Sequence, residues 1–309
     1  MLQLTAKRLL LALGTAASIG STSLSAQELT PRRWSHLPSD INIIGAGTVY
    51  TTGDIYFDPV LQAEDVDMEF YTTAFRYIRT FEFLEKSSRI EVAQGYQDAE
   101  WSGTVDGQPQ TRNSSGATDT VLRLAMNLYG APPLKGKAFK DYRKSVYQSD
   151  TVVGAGVIVT LPTVKYDDDK LLNISGNRTV IRPQFGIMHS RGKWTYETTI
   201  AAWCYTKNDD FWNGNELEQD PFYAIQSHLI YTYKPGIWAS ASIGYGEGGE
   251  SQVNGVDKSD RKRNLAWALS AGYSFTPRFG IKAAYIGTDT QTDKGFDSTN
   301  FALGASYVW

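Results

Sequence analysis

This 309-residue chain has one cysteine, no long apolar run and no excess of basic charge. The lone Cys204 rules out an internal disulfide and any cluster of metal-bound thiolates. A helix that crosses a bilayer needs about eighteen consecutive apolar residues, and the sequence offers no such stretch. Thirty Lys and Arg against 33 Asp and Glu give a formal net charge of -3. A mildly acidic chain has no electrostatic case for binding nucleic acid. Histidine is scarce too, with only His36, His189 and His228.

The N-terminus has the layout of an export signal. Lys7 and Arg8 precede the apolar run that starts at Leu9, and Ser23-Leu24-Ser25-Ala26 offers small side chains for cleavage. The expected signal peptide is 1–26 and the mature domain 27–309. Losing Lys7 and Arg8 with no acidic residue takes the net charge from -3 to -5. No lipobox cysteine follows, so no lipid anchor is expected.

What remains is rich in aromatics and alternates. At the C-terminus Phe301, Leu303, Ala305, Tyr307 and Trp309 share one face of a strand, with Asn300, Ala302, Gly304, Ser306 and Val308 on the other. The same dyad recurs over 263–275 and 279–288. Bulky apolar groups on one face and small or polar ones on the other suit a barrel with lipid outside and water inside. The pattern predicts an all-β fold, an antiparallel up-and-down transmembrane barrel. Twelve strands are read, at 40–50, 68–83, 88–102, 119–130, 150–162, 177–189, 193–206, 221–233, 236–246, 263–275, 279–288 and 299–309. One segment, 134–147, has helical period instead.

The connections alternate in length. Those at 84–87, 190–192, 234–235 and 276–278 are short, as periplasmic turns are. Those at 51–67, 103–118, 163–176, 207–220, 247–262 and 289–298 are long, polar and expected outside the cell. The connection 131–148 breaks the rhythm, so its short helix is expected at the periplasmic mouth, or folded into it as a partial plug. Trp194, Trp203, Tyr231, Tyr307 and Trp309, with Tyr205, Tyr233, Trp238 and Tyr245, are expected in aromatic girdles at the membrane interfaces.

Charges within strands are costly toward lipid, so register should turn them inward. Arg76, Glu91, Arg123, Arg182, Glu197 and Lys282 fall on the inner face, joined by Gln184, Gln226 and His228. Trp238 and Tyr129 are expected to add apolar contacts there. Arg79 faces outward near the periplasmic end. These groups either pair across a narrow lumen or line a pore. Twelve strands enclose more than side chains fill in eight and less than an open porin of sixteen, which favours a narrow or partly occluded passage.

Two stretches carry a family likeness. Val153-Gly154-Ala155 leading to Leu161-Pro162-Thr163-Val164-Lys165-Tyr166-Asp167 resembles the signature of the outer-membrane transporter family named for the meta pathway of phenol degradation. Asn177-Arg178, Pro183-Gln184-Phe185 and the segment from Gly45 to Pro59 continue it, while Val164 stands where the family usually has Gly. The resemblance implies an outer-membrane barrel that moves hydrophobic or aromatic compounds.

Catalytic signals are weak. No Gly-x-Ser-x-Gly occurs, and no His has a Ser at a spacing that marks a catalytic pair. Asp167-Asp168-Asp169 could hold a cation, but reads better as a solvated loop. No catalytic residue, metal or cofactor is therefore expected. The reading is a passive, monomeric channel for small apolar or aromatic permeants, set in outer-membrane lipid and lipopolysaccharide. Its last strand is expected to be read by the barrel-assembly machinery. A structural or adhesive barrel acting through its loops, and a lipid-modifying enzyme, are the alternatives.

Overall fold

The computed structural model describes residues 29–57 and 63–309, so the signal peptide read at 1–26 lies outside them. Along the chain run β1 (Asn42–Tyr56), β2 (Ala63–Phe83), β3 (Lys86–Val105), β4 (Gln108–Ala117) and β5 (Thr120–Tyr129). The helix α1 (Gly136–Ser145) follows, then β6 (Asp150–Leu161), β7 (Val180–Arg191) and β8 (Trp194–Tyr205). Next come β9 (Asn208–Phe211), β10 (Asn215–Gln219), β11 (Phe222–Lys234), β12 (Ile237–Gly248), β13 (Ser251–Val253) and β14 (Val256–Asp257). The last are β15 (Lys262–Ser274), β16 (Phe279–Thr290) and β17 (Gly295–Val308).

Twelve of these strands pair antiparallel with their neighbours, and β1 pairs with both β2 and β17, so the sheet closes. Closure leaves the twelve-stranded barrel without a free edge, the condition for a β-structure in lipid. The dyad sorts the side chains. Trp267, Leu269, Tyr285, Phe301 and Leu303 are exposed outward, while Ala266, Ala268, Ser270 and Ala284 are buried inward. Short turns link strands at the end where both chain termini of the barrel lie. In the β2–β3 turn Leu84 and Glu85 both take positive φ, 49° and 58°, which matches the twist of the flanking strands.

The long external connections depart from expectation. β2 and β3, 21 and 20 residues long, extend well beyond the other barrel strands, and β4 pairs with the upper half of β3 while β5 takes the lower half. Segments 207–220 and 247–262 supply β9, β10, β13 and β14, a separate four-stranded sheet. Two small apolar cores hold this cap together, one around Phe70, Trp101 and Phe296, the other around Phe211, Leu217 and Val253. The first core is built from the upper ends of β1, β2, β3 and β17, and the second from two loops, so no one segment's composition reveals either.

Helix α1 lies at the periplasmic mouth with no buried residue. Phe139 and Tyr142 turn their rings edge-on to His36, at 4.8 and 5.4 Å. The helix buttresses the mouth, and something else fills the barrel.

Candidate functional site

The occupant is the stretch that precedes β1. Leu29 lies in the lumen against the inward Ala266, Ala268 and Ile286. The chain then crosses to the opposite wall, where Arg33 and Trp34 are buried, and leaves through the periplasmic mouth at His36. From there it joins β1, with Ser39 N–H bonded to Leu134 O at 2.9 Å and Asp40 N–H to Thr80 O at 3.1 Å.

Trp34 has 0% exposure. Its indole lies flat on two glycines of adjacent strands, Gly154 and Gly186, which pair directly. A Cβ on Gly154 would sit 2.2 Å from the Trp34 ring, and one on Gly186 2.0 Å from its Nε1. Only glycine permits that approach. Nε1 donates to Thr199 Oγ1 at 2.8 Å, and the Arg123 guanidinium lies 5.6 Å from the ring.

Glu197 receives the backbone. Its carboxylate accepts from Arg33 N–H at 2.9 Å and Trp34 N–H at 3.4 Å, with 0% of the residue exposed. Arg33 donates from Nη1 to Gln184 Oε1 at 3.2 Å, and its carbonyl accepts from Arg89. Around this contact Glu91 collects three cations: Arg123 at 2.6 Å, Arg89 at 3.0 Å and Arg76 at 3.9 Å. Low-dielectric surroundings make such a cluster costly to leave half-paired, which ties plug and wall together. Arg32 stacks over Trp238 at 5.5 Å on the far side.

The inward residues read from the sequence therefore meet in this network or beside it. Gln226 and His228 are buried in the lumen, His228 bonding Ser242 Oγ through Nδ1 at 2.8 Å. Lys282 shares the inward face of β16 with Ala284 and lies within Coulombic reach of His228. Arg79 bonds Asn42 and Asp40 at the mouth. Four residues were missed. Arg33 and Trp34 sit in a stretch without period, and Arg89 and Thr199 were legible as same-face neighbours of Glu91 and Glu197.

The placements of Trp203, Tyr205 and Tyr129 need correction, and Trp238, read both for a girdle and for the lumen, faces the lumen beneath Arg32. Trp203, expected in a girdle, is 4% exposed and faces the lumen with Phe222 and Tyr205. It shares parity with Glu197, and the Arg182 guanidinium lies 4.9 Å above its ring. Tyr129, expected in the lumen, is 66% exposed on the outside. A register shift near it, between Asn127 and Tyr129, flips the last residues of β5. On the outer surface the Trp194 and Tyr231 rings meet at a tilt, 4.8 Å apart, and Tyr307 stacks with Trp309 at 6.2 Å.

Among the described residues no three His, Cys, Asp or Glu converge as a metal site. Asp167 instead faces Arg112 at 3.9 Å and bonds Asn173.

The fold has solved counterparts. An outer membrane channel from Pseudomonas putida F1 superposes with a TM-score of 0.74 at 21% identity, covering 91% of this chain and all of that one (100%). The β-domain of the Bordetella autotransporter BrkA and the translocator domain of autotransporter NalP from Neisseria meningitidis each give 0.50 at 11% identity. They cover 87% and 96% of this chain, and 100% and 98% of their own. No curated protein matches the sequence. The family model described as putative MetA-pathway of phenol degradation matches residues 14–305, so the chain belongs to that family.

Proposed function

We propose that the protein is a passive outer-membrane channel for small apolar or aromatic compounds, held shut at rest by residues 29–41. The observation that carries this reading is the fit of Trp34 onto Gly154 and Gly186 above the Glu197 carboxylate. A barrel needing only a filled interior has no use for two strand glycines under one indole. A removable occupant does. The family's association with phenol degradation supports the choice of permeant. The signal peptide at 1–26, recognition of the Phe301–Trp309 strand by assembly machinery and a monomeric state belong to the same proposal.

A catalytic role is not part of it. His228 and Ser242 do form a pair, which the linear spacing of fourteen residues hid. Glu197 lies beside His228 in register, but its carboxylate serves the plug backbone, leaving His228 Nε2 without an acid partner. The pair also faces the closed lumen, away from lipid.

The test is conductance in planar bilayers, with protein lacking residues 27–41 beside the intact chain. The truncated barrel should conduct steadily and the intact one rarely. A silent truncated barrel, shown to be folded by its heat-modifiable gel migration, rejects the channel.

A further inference from the structure

Pairing between β7 and β8 contains a gap. It runs Val180–Tyr205 and Ile181–Cys204, skips Arg182 and Pro183, and resumes at Gln184–Ala201 in the same register. On its other side β7 pairs without interruption, including Val157–Pro183. Elsewhere in the described barrel, breaks in pairing come with a register shift, as at Asn127/Tyr129 and Thr232/Lys234. Proline has no N–H, so the ladder bond that a residue here would give β8 is missing.

At this gap the middle of the outer face is apolar, with Asp220, Glu247 and Arg261 only at its rim, and inside Arg182 lays its guanidinium 4.9 Å over the Trp203 ring. Inside stand Trp203 and Phe222, ring centroids 5.6 Å apart. Outside lies a groove of about 870 Å³ whose floor includes Ala201, Ala202 and Ala224, flanked by Phe185, Ile200 and Tyr223. The groove also reaches Gln184, the inward residue that holds Arg33. The gap is therefore level with the top of the plug. A solute descending from outside meets the Arg33–Glu197–Glu91 network immediately below it, where an apolar molecule would strip water from charges with nothing in return.

We infer that the β7–β8 gap is a lateral portal, through which a small neutral aromatic or apolar solute leaves the upper lumen past Trp203 for the outer leaflet. The inference rests on the channel reading above and adds a second route to it. The lumen is one route for these solutes once the plug is released; the wall is the other, usable with the plug in place. The small floor residues leave room for a ring, and the missing hydrogen bond lowers the cost of parting the two strands there.

Uptake of N-phenyl-1-naphthylamine by intact cells tests this. The probe is a neutral aromatic that fluoresces on reaching phospholipid and is excluded by intact lipopolysaccharide. Cells carrying the unaltered protein should take it up faster than cells lacking it. Ala202→Trp, which fills the groove from the lipid side, should return uptake to the level of cells lacking the protein. Pro183→Ala, which restores a donor toward β8, should lower it. Ala241→Trp, on the outer face of β12 away from the groove, should leave it unchanged. Folding of each variant is read from its unboiled gel migration. Uptake that survives both Ala202→Trp and Pro183→Ala in folded protein overturns the portal alone. No uptake above background with the unaltered protein overturns the aromatic-channel reading, and the portal with it.

Discussion

Replacing Trp34 with alanine isolates the contact that holds the plug. The side chain has no exposed surface, and a buried tryptophan covers about 200 Å². At about 25 cal/mol per Å² its docking gains about 5 kcal/mol as an upper estimate. The bond to Thr199 adds about 1 kcal/mol and the Arg123 contact a similar amount. Alanine keeps part of the area, and lumen water can refill the site, so the net loss is about 4 kcal/mol. That shifts the balance between docked and free plug roughly a thousandfold. The Trp34→Ala protein should therefore open in planar bilayers far more often than the wild type, without change in gel migration. A Ser35→Cys probe, in a Cys204→Ser background, should become reactive to a membrane-impermeant maleimide in the same variant. If the folded variant shows wild-type conductance and an unreactive Cys at 35, Trp34 does not hold the plug.

Other outcomes follow from the same geometry. Gly186→Val places atoms where the indole lies and should reproduce the open behaviour of Trp34→Ala with the tryptophan still present; bilayer recordings decide it. Glu91→Gln leaves Arg89 and Arg123 facing each other without their carboxylate, and unfolding in urea should show a loss of about 3 kcal/mol. Burial holds the His36 imidazole below its ordinary 6.5, against the opposing bond to Pro132. Below pH 6.5 a free His36 takes a proton that the docked ring resists, because its Nδ1 is buried without a partner. Docking should then weaken as pH falls, and open probability should rise between about pH 7 and pH 5. His36→Gln should flatten that rise; a pH dependence unchanged by the substitution assigns it elsewhere.

The strands were legible because each has two environments that leave a period of two in the sequence. The end of the chain, the 263–288 hairpin and the inward Arg123 and Glu197 all follow from that rule. Trp203 was misplaced by a second rule, that aromatics mark interfaces, although its parity with Glu197 already put it inside. The plug left no such trace. Residues 29–41 form no repeating structure, so their fit depends on Gly154 and Gly186, more than a hundred residues away in the chain. The outer cap escaped for a related reason, since Phe211 and Leu217 become a core only when their loop meets the one that carries Val253.

The plug is joined to β1 through residues 37–41, which are pinned at Ser39 and Asp40. It therefore behaves as a ligand that cannot diffuse away from its receptor. Once Trp34 leaves its glycines, a tether this short keeps the plug at an effective concentration in the millimolar range. Reclosing is then a first-order event, independent of protein concentration. A free peptide copying residues 29–36 should compete for the site only when its own concentration approaches that value. Opening of this channel is an excursion from which the protein recovers unaided, and a signal that keeps it open has to act for as long as the pore is needed.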